Sequence, residues 1–542
     1  MAETVFQLGK VYNRGNGWKK GCVFMLVAGQ KEMQQMDQYT IDKLGLPGVV
    51  LMENAGARVV EEIVASASTV TPRVVVLAGG GNNGGDGFVI ARRLYDLGFF
   101  NLLLCLVVPP ERIKGDAKVH FDVYRNRQLP ILYLHESSLE EVGLEINQAD
   151  VVVDALLGTG VSGPVREPFG SVISMVNKHA GKKVIISVDI PSGVNSDSGK
   201  VEGTAIKASK TITFVFPKRG FFLQDGPKFL GEWKAVDISV PPSIVENLGL
   251  ALPRVITEDL VSESIPFRPK HGHKGTFGHV LVIGGSKFYV GAPIFSAKSA
   301  LHSGAGLVTL AVPESIYPIA AAQNPESLFL PLADEDGHFA REAIASLRPL
   351  LHQFKSVAIG PGISRFPGGE AWVKSVLSLL SNQPVVVDAD ALFLLRDELE
   401  LVREYKGDII FTPHPGEMAR LLNKAVKEVE ENRIGIAKTF AQDYGVYLLL
   451  KGHRPVIATP DGDVFINPHG NDALGKGGSG DVLTGMIASF LAQGATPVKA
   501  LVTASYLHAR AGEEKAAALS SYGVGPLDLV EGIREQLRVL MN

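Results

Sequence analysis

The sequence predicts an α/β protein with two domains. Its 542 residues exceed the roughly 100–200 residues of a typical single domain. Apolar segments rich in valine and isoleucine alternate with helical patterns in both halves, as in βαβ units. Five prolines between residues 241 and 270 interrupt this series, and the domain boundary is predicted there.

The first residues, 1–24, are interpreted as a leader or a misassigned extension, because Met25 offers a second start. A pair of lysines precedes a short apolar run at 21–28, so a secretory signal peptide stays open as an alternative. Helical spacing follows at Met33 and Met36, and the first folded domain is expected to begin near there.

The first half opens with a strand, a glycine loop and a helix, predicted at 73–79, 80–87 and 88–98. Four more strands follow, and their apolar runs lack polar alternation, which is typical of parallel strands covered by helices on both faces. These strands are NLLLCLVV (101–108), DVVVDALLG (150–158), KVIISVDIP (183–191) and KTITFVF (210–216). A Rossmann-like three-layer sandwich is therefore predicted for this half.

The second half contains another series of buried-looking strands. No convincing repeat relates it to the first half, so two different α/β domains are predicted rather than a duplication. The strands are HVLVIGG (279–285), GLVTLAVP (306–313), SVAIGPG (356–362), PVVVDADAL (384–392), DIIFTPHPGE (408–417), VYLLLKG (446–452) and PVIATPDG (455–462).

The composition excludes several classes of protein. Lysine and arginine number 53 against 57 acidic residues, a net charge of −4, so no basic excess is present to bind a nucleic acid backbone. No apolar stretch is as long as the ~18 residues that a membrane span requires. Two cysteines, Cys22 and Cys105, cannot form a disulfide framework, which favours a reducing compartment and a cytoplasmic location.

The first glycine loop satisfies the dinucleotide fingerprint G-x-G-x-x-G at Gly79, Gly81 and Gly84. The acidic residue that should end the next strand is missing, since Glu111 lies beyond two prolines, and this disfavours a redox Rossmann domain. Asn83 and neighbouring polar residues supply oxygens suited to a hard cation. The alternative is that these side chains only tolerate the turn and cap the helix.

Further oxygen-bearing residues follow other strands of this half. Asp154, Asp189 and Ser192 lie at predicted strand ends, where open α/β sheets bind ligands. Asn83, Asp154 and Ser192 can converge on one cation, and their oxygens suit potassium or sodium better than zinc. Asp189 is then left for acid–base chemistry.

These motifs resemble the YjeF N-terminal family of NAD(P)H-hydrate epimerases. The resemblance rests on LMENAG (51–56), AGGGNNGGDGFVIARRL, VVDALLGTGVSGPVR and SVDIPSGVNSDSG. It implies an epimerase domain at 25–245, a potassium ion held by Asn83, Asp154 and Ser192, and acid–base catalysis by Asp189. The hydrate contacts that it implies are Asn82, Asn83, Gly84, Gly85, Asp86, Gly158, Thr159, Gly160, Val161, Ser162, Gly163, Pro164 and Asp189.

The second half carries a glycine-rich turn ahead of an apolar helix, NDALGKGGSGDVLTG (471–485). Successive backbone N–H groups at a helix N-terminus hold phosphoryl oxygens, and Asp481 at that point can take a proton from a substrate hydroxyl. This turn resembles that of the ribokinase-like superfamily. The alternative is a glycine-rich helix entry with Asp481 as an ordinary first-turn acid.

Other motifs resemble the NAD(P)H-hydrate dehydratases, namely HKGTFGHVLVIGGS (273–286), GAPIFSAKSALHSGAGLVTL (291–310), TPHPGEMARLL (412–422) and LLLKGHRPVI (448–457). The resemblance implies a linker at 246–270 and a ribokinase-like dehydratase domain at 271–542. The implied hydrate contacts are Ala292, Gly362, His414 and Asp481. The implied nucleotide contacts are Lys451, Gly452, His453, Arg454, Pro455, Gly477, Gly478, Ser479 and Gly480.

Together the two resemblances imply repair of hydrated NADH and NADPH. The first domain would interconvert the R and S hydrates, and the second would dehydrate the S hydrate with ADP or ATP and magnesium, ADP being favoured. A homo-oligomer is expected from the resemblance. Two alternatives stay open: a vitamin-precursor kinase that shares the anion-binding turn, and a non-catalytic nucleotide sensor in the first half.

Overall fold

The computed structural model describes residues 10–12, 23–66, 72–135, 137–181 and 183–541. The chain divides into two compact units between Pro253 and Arg254. Apart from 10–12 and 23–24, the predicted leader lies outside the described residues. Both units combine a largely parallel sheet with helices, so the predicted α/β class with two domains is confirmed.

The first unit contains nine described strands and seven α-helices. The strands are β1 (Lys10–Tyr12), β2 (Val23–Leu26), β3 (Val74–Ala78), β4 (Leu102–Leu106), β5 (Ile131–Tyr133), β6 (Val151–Ala155), β7 (Val184–Val188), β8 (Lys210–Phe214) and β9 (Glu232–Val236). The helices are α1 (Gln30–Asp42), α2 (Gly48–Ser66), α3 (Asn82–Asp96), α4 (Gly115–Asn126), α5 (Leu139–Gln148), α6 (Phe169–Lys178) and α7 (Ile244–Asn247).

Seven of these strands form one parallel sheet in the order β5-β4-β3-β6-β7-β8-β9, and β1 pairs antiparallel with β2. The central strands β3 and β6 are completely buried, as their runs of valine predict. The strands that follow β3 in the chain are first added on one side of it, as β4 and β5, and then on the other side, from β6 onward. Ligand sites of open α/β sheets lie at the carboxyl ends of the strands near such a reversal.

The glycine motif after β3 is helical, which corrects the predicted loop at 80–87. Helix α3 begins at Asn82, six residues before the predicted start. A Cβ atom on Gly84 would lie 2.0 Å from the carbonyl oxygen of Gly79, and one on Gly87 would lie 2.9 Å from the Cβ of Ala155. The glycines therefore allow the first turns of the helix to pack directly on the sheet.

The second unit contains twelve strands and thirteen α-helices. The strands are β10 (Arg254–Val255), β11 (His279–Ile283), β12 (Leu307–Pro313), β13 (Leu328–Leu332), β14 (Asp334–Glu335), β15 (His338–Phe339), β16 (Ser356–Ile359), β17 (Val385–Val387), β18 (Ile409–Phe411), β19 (Tyr447–Leu450), β20 (Val456–Ala458) and β21 (Val464–Ile466). The helices are α8 (Glu258–Ser262), α9 (Gly291–His302), α10 (Tyr317–Gln323), α11 (Ala343–Leu347), α12 (Gly369–Leu379), α13 (Asp390–Leu395), α14 (Leu399–Glu404), α15 (Pro415–Leu422), α16 (Val426–Glu431), α17 (Arg433–Tyr444), α18 (Ser479–Ala492), α19 (Pro497–Leu519) and α20 (Pro526–Met541).

Within this unit the main sheet runs β10-β21-β20-β19-β18-β17-β16-β11-β12-β13. Its strands are parallel except β20, which is antiparallel to both neighbours. Because β17, β18 and β19 are adjacent and parallel, the residues that follow them meet at one edge of the sheet. Helix α18 is almost entirely buried, which its apolar composition predicts.

The segment predicted as a linker, 246–270, is in part regular structure. Strand β10 pairs with β21, and Arg254 forms an ion pair with Asp463 at 3.0 Å. Leu260 and Val261 of α8 are buried. The prolines that suggested a linker interrupt the segment without preventing its apolar residues from joining the second unit.

The described segments contain twenty α-helices. Among them, none combines the length and the apolar character that crossing a bilayer requires.

Candidate active sites

The first unit holds a cavity of about 740 Å³ at the carboxyl ends of its central strands. Its walls come from the residues after β3, β6 and β7 and from helices α1 and α2. Ten of the predicted hydrate contacts line it: Asn82, Asn83, Asp86, Gly158, Thr159, Gly160, Val161, Ser162, Pro164 and Asp189. Segments far apart in the sequence thus meet at one cavity large enough for a nucleotide.

Three predicted hydrate contacts are not among the lining residues. Gly84 packs against the backbone of Gly79, and a Cβ on Gly85 would lie 2.4 Å from the sulfur of Met52. Gly163 has a positive φ of 75° and turns the chain between two lining residues. For Gly84 and Gly85, close helix packing accounts for the glycine.

The predicted cation ligands Asn83, Asp154 and Ser192 are brought together. The Ser192 hydroxyl donates to Asp154 Oδ1 at 2.5 Å, and the Leu157 carbonyl accepts from Asn83 Nδ2 at 3.0 Å. Asn83 Oδ1 is buried and has no hydrogen-bond partner among the described residues. Burial raises the pKa of Asp154 although Ser192 and Ser187 donate to it. A carboxylate, a hydroxyl and an amide oxygen without a donor fit a monovalent cation.

Asp189 occupies a strained position after β7, with a positive φ of 64°. Its Oδ1 accepts hydrogen bonds from the Lys218 ammonium at 2.5 Å, the Thr213 hydroxyl at 3.1 Å and the Phe214 amide at 3.1 Å. The Lys218 side chain is only 1% exposed. These donors stabilise the carboxylate and fix its orientation toward the cavity.

Lys218 and Asp37, which were not predicted, also line this cavity. Burial raises the pKa of Asp37 to about 6, and it raises the pKa of Asp86 well above its usual value, with Asp189 contributing in both cases. The cavity therefore contains an ion-paired carboxylate together with two carboxyls whose pKa values are raised. Such a set can both accept and donate a proton. In the sequence, Lys218 follows the apolar run at 210–216, whereas Asp37 lies in a polar helical stretch and carries no comparable signal.

In the second unit, Asp481 lies in the first turn of α18. Gly478 caps this helix with a positive φ of 95°, and a Cβ there would lie 2.5 Å from Pro526. Burial, followed by the negative charge of Asp388, raises the pKa of Asp481 to about 7. A carboxyl with that pKa at the positive end of a helix can serve as a general base near neutral pH.

Two acidic residues that were not predicted, Asp388 and Glu417, lie close enough to Asp481 to raise its pKa. Asp388, directly after β17, binds Lys451 Nζ at 2.7 Å and the Thr484 hydroxyl at 2.6 Å. Glu417 Oε2 lies 3.8 Å from Lys451 Nζ. Burial lowers the pKa of Lys451, but the attraction of Asp388 and Glu417 outweighs it and the net shift is upward. Both could have been found from their positions in the sequence. Asp388 lies directly after a buried strand, and Glu417 lies six residues after the end of the next one.

His414 caps helix α15, where its Nδ1 accepts from the Gly416 amide at 3.0 Å. Burial and the nearby Lys451 lower the pKa of His414, so the ring is neutral and carries its proton on Nε2. That nitrogen lies 3.4 Å from Glu417 Oε1. The half-exposed ring is thus held in one orientation beside the acidic residues of the site.

The predicted hydrate contacts Ala292 and Gly362 are neighbours. A Cβ on Gly362 would lie 3.0 Å from that of Ala292, and its positive φ of 68° favours glycine. Ser296, one turn after Ala292, donates to the Asp481 carbonyl at 2.8 Å. This bond ties α9 to the start of α18.

The predicted nucleotide segment, residues 451–455, is held by the buried guanidinium of Arg433. This side chain donates to the carbonyls of Leu450, Lys451 and Arg454 at 3.0–3.3 Å. The Lys451 ammonium reaches Gly480, since a Cβ there would lie 3.2 Å from Nζ. The segment and the anion-binding turn therefore meet through these two residues.

The glycine turn itself is only partly open. Gly477 is exposed, whereas the Ser479 side chain is buried, with its hydroxyl 3.2 Å from His508 Nε2. Ser479 thus contributes to the turn through its backbone.

Across the described residues, no group of three or more His, Cys, Asp and Glu side chains has the arrangement of a metal site.

Comparisons with known proteins match both units. The family model of the YjeF-related protein N-terminus matches residues 48–220, and that of NAD(P)H-hydrate dehydratase matches residues 280–535. The bifunctional NAD(P)H-hydrate repair enzyme Nnr of Moorella thermoacetica is 38% identical over 520 residues, covering 95% of this chain and 97% of the relative. The enzyme of the same name from Thermofilum pendens is 35% identical over 521 residues, with coverages of 95% and 97%.

Solved structures resemble the second unit. The ADP/ATP-dependent NAD(P)H-hydrate dehydratase from Bacillus subtilis, crystallised with ATP and Mg²⁺, is 30% identical, covers 54% of this chain and 99% of its own, and has a TM-score of 0.46. A ribokinase-like superfamily protein from Enterococcus faecalis is 28% identical, with coverages of 53% and 95% and a TM-score of 0.46.

The two family matches lie in the order that the sequence motifs predict, one in each unit. Relatives that are similar along nearly the whole length carry both parts in one chain. The predicted union of an isomerase and a lyase in one enzyme is therefore confirmed. The chain belongs to the family of bifunctional NAD(P)H-hydrate repair enzymes.

Proposed function

We propose that the protein repairs hydrated NADH and NADPH in two steps, each at its own aspartate. Water added to the reduced nicotinamide ring gives two epimers, and a dehydratase specific for one leaves the other unrepaired. The first unit epimerises the R and S hydrates, and the second dehydrates the S hydrate. The observation that supports this division is the presence of a separate buried, charged site in each unit, around Asp189 and around Asp481.

In the first unit, Asp189 acts on the hydroxyl-bearing ring carbon. Paired with the Lys218 ammonium, its carboxylate accepts the hydroxyl proton while the bond from that carbon to the ring nitrogen breaks and a carbonyl forms. A protonated carboxyl of the cavity supplies a proton to the nitrogen. Reclosure on the other carbonyl face returns both protons and gives the other epimer, so no co-reactant is consumed.

Asn83, Asp154 and Ser192 are the residues that would hold a potassium ion in this unit. The support is the buried Asn83 Oδ1 without a donor, next to a buried carboxylate. Bound there, the ion supplies positive charge for the anionic part of the hydrate. The residues themselves fix the segments after β3, β6 and β7 relative to one another.

Potassium is expected to raise the thermal unfolding midpoint of the protein, because a ligand that binds only the folded state stabilises it. Replacing potassium by tetramethylammonium should remove this rise, and Asn83→Ala should do the same. Asn126→Ala, at an exposed asparagine of the same unit, is the matched control. Potassium-dependent stabilisation that persists in Asn83→Ala, or is missing in the wild type, would contradict this assignment.

In the second unit, Asp481 takes the proton of the hydrate hydroxyl, whose oxygen attacks the terminal phosphorus of ADP or ATP. The bond to the bridging oxygen breaks, and the shortened nucleotide leaves. Phosphate then departs with the electrons of the C–O bond, a neighbouring ring carbon loses a proton to the released phosphate, and the ring double bond is restored. Magnesium bound to the nucleotide would offset phosphate charge. The Gly477–Gly480 amides and Lys451 stabilise the transferring group.

A vitamin-precursor kinase is the second candidate for this unit, because it would use the same anion-binding turn. Incubation with hydrate and ADP or ATP distinguishes the two activities. We expect inorganic phosphate in equal amount to the reduced nicotinamide recovered. A phosphorylated organic product without free phosphate would indicate the kinase. The fused epimerase unit favours dehydration, and the same fusion favours ADP as the nucleotide.

Location and assembly complete the proposal. Cys105 is a buried free thiol, and burial raises its pKa to about 12, so it is protonated at neutral pH. An unreactive thiol of this kind is compatible with the cytoplasmic location that we propose. The homo-oligomer stays a prediction, which sedimentation of the purified protein can measure.

A further inference from the structure

Asp388 is the point where three elements of the dehydratase unit are joined. It follows β17 directly, and its side chain is 1% exposed. Oδ1 lies 2.7 Å from the Lys451 ammonium at the end of β19, and Oδ2 accepts from the Thr484 hydroxyl of α18 at 2.6 Å. Both oxygens are therefore engaged, and neither is required to contact a ligand.

The two partners of Asp388 both adjoin the anion-binding turn. Lys451 lies beside Gly480, and Thr484 lies one helical turn after Asp481. An unanchored lysine side chain has many rotamers, and holding its ammonium at one point removes that freedom before the substrate arrives. The carboxylate of Asp388 thus sets where the ammonium stands relative to the turn.

We propose that Asp388 is the positioning residue of the dehydratase site: it anchors the Lys451 ammonium at Gly480 and places a negative charge close to Asp481. It acts through these two residues and not through contact with the hydrate. The inference rests on the proposed role of Asp481 as the base.

The charges that face Asp481 give this proposal a measurable signature. The carboxyls of Asp388, Glu417 and Asp390 raise its pKa, and the Lys451 ammonium lowers it. The neighbouring histidines, His508 and His414, both have lowered pKa values and are neutral. After burial, Asp388 contributes more to the rise in the pKa of Asp481 than either of the other two carboxyls. Removing its charge must therefore lower the pKa of Asp481.

The sign of the pH effect follows from the role of Asp481. A general base is active when ionised, so the acidic limb of the rate profile reports its pKa. Asp388→Asn removes the neighbouring negative charge and leaves the lysine, so this limb should move to lower pH by about one unit or more. A residue with only a structural role would lower the rate without moving the limb in this direction.

The experiment measures kcat and KM for the S hydrate with ADP between pH 5 and 9 in the wild type and in Asp388→Asn. We expect kcat at pH 8 to fall by about tenfold or more, because the ammonium is no longer fixed, and the acidic limb to shift downward. KM for the hydrate should change little, since Asp388 does not contact it. Unchanged kcat, or a limb that stays in place or moves upward, would overturn the proposal.

A double-mutant cycle tests whether Asp388 acts through Lys451. Lys451→Met is combined with Asp388→Asn, and we expect the double variant to lose little more kcat than Lys451→Met alone. Fully additive losses would contradict the anchoring role. Thr484→Val, which removes one hydrogen bond and keeps the charge, is the matched control and should leave the limb where it is in the wild type. Folding is checked by the epimerase activity and by thermal unfolding.

Failure of this inference is distinguishable from failure of the proposed function. If Asp481→Asn is inactive but Asp388→Asn has the wild-type profile, only the positioning role is wrong. If Asp481→Asn retains dehydration, Asp481 is not the base, and the acidic limb of the pH–rate profile then reports the pKa of another group.

Discussion

Asp481→Asn is expected to lower the dehydration of the S hydrate by a factor of about 10² to 10⁴, the range typical for loss of a general base. The asparagine keeps the size of the side chain but cannot accept the hydroxyl proton. The bond from Ser296 goes to the backbone carbonyl of residue 481 and is retained. The measurement is the rate of recovery of reduced nicotinamide absorbance from pure S hydrate with ADP.

The controls for this prediction come from both units. Interconversion of the epimers should continue in Asp481→Asn, because it depends on Asp189. Asp443→Asn, at an exposed aspartate of the second unit, should have wild-type rates of both reactions. Near-normal dehydration by a folded Asp481→Asn enzyme would show that the base is another group.

Asp189→Ala is expected to abolish interconversion of the R and S hydrates while dehydration of the S hydrate continues. The reason is that the variant loses the carboxylate in the first unit and leaves the second unit unchanged. Interconversion is measured by chromatographic separation of the epimers without nucleotide. A loss of about 10² or more is expected for an essential acid–base group.

The buried Lys218 determines how this variant must be controlled. Removal of the carboxylate leaves its ammonium with the Thr213 hydroxyl and the carbonyls of Phe214 and Phe216 as acceptors. Breaking a buried ion pair still destabilises a fold, so Asp189→Asn, which keeps an acceptor at this position, is measured alongside. Asp42→Ala, at an exposed aspartate, is the matched control. If interconversion survives in both variants at position 189, or if dehydration falls with it in a folded protein, the two-site account is wrong.

The strands and the site were predicted best where one residue type has a single physical role. Runs of valine such as those of β3 and β6 predict buried parallel strands, and both are completely buried. The convergence of Asn83, Asp154 and Ser192 followed from their positions at strand ends. The same rule, applied to the predicted strand at 384–392, would have identified Asp388, which directly follows β17.

What could not be predicted depends on contacts between distant segments. Lys218 is 29 residues from Asp189, and no local pattern shows that its ammonium is buried there. The early start of α3 depends on the space above Gly79, which only the folded sheet defines. The predicted linker contained apolar residues, but their burial requires β21, some two hundred residues later, to provide a pairing edge.

One measurement tests most directly the central claim, that a single chain repairs both hydrates at two separate aspartates. A mixture of R and S hydrates is incubated with excess ADP, and in parallel ATP, while the absorbance of reduced nicotinamide is followed. The wild type should recover all of the hydrate, and Asp189→Ala should stop, on the same timescale, at the fraction that was S at the start. Adding Asp481→Asn protein to the stalled reaction should restore full recovery. Full recovery by Asp189→Ala alone, or no rescue by Asp481→Asn, would contradict the account.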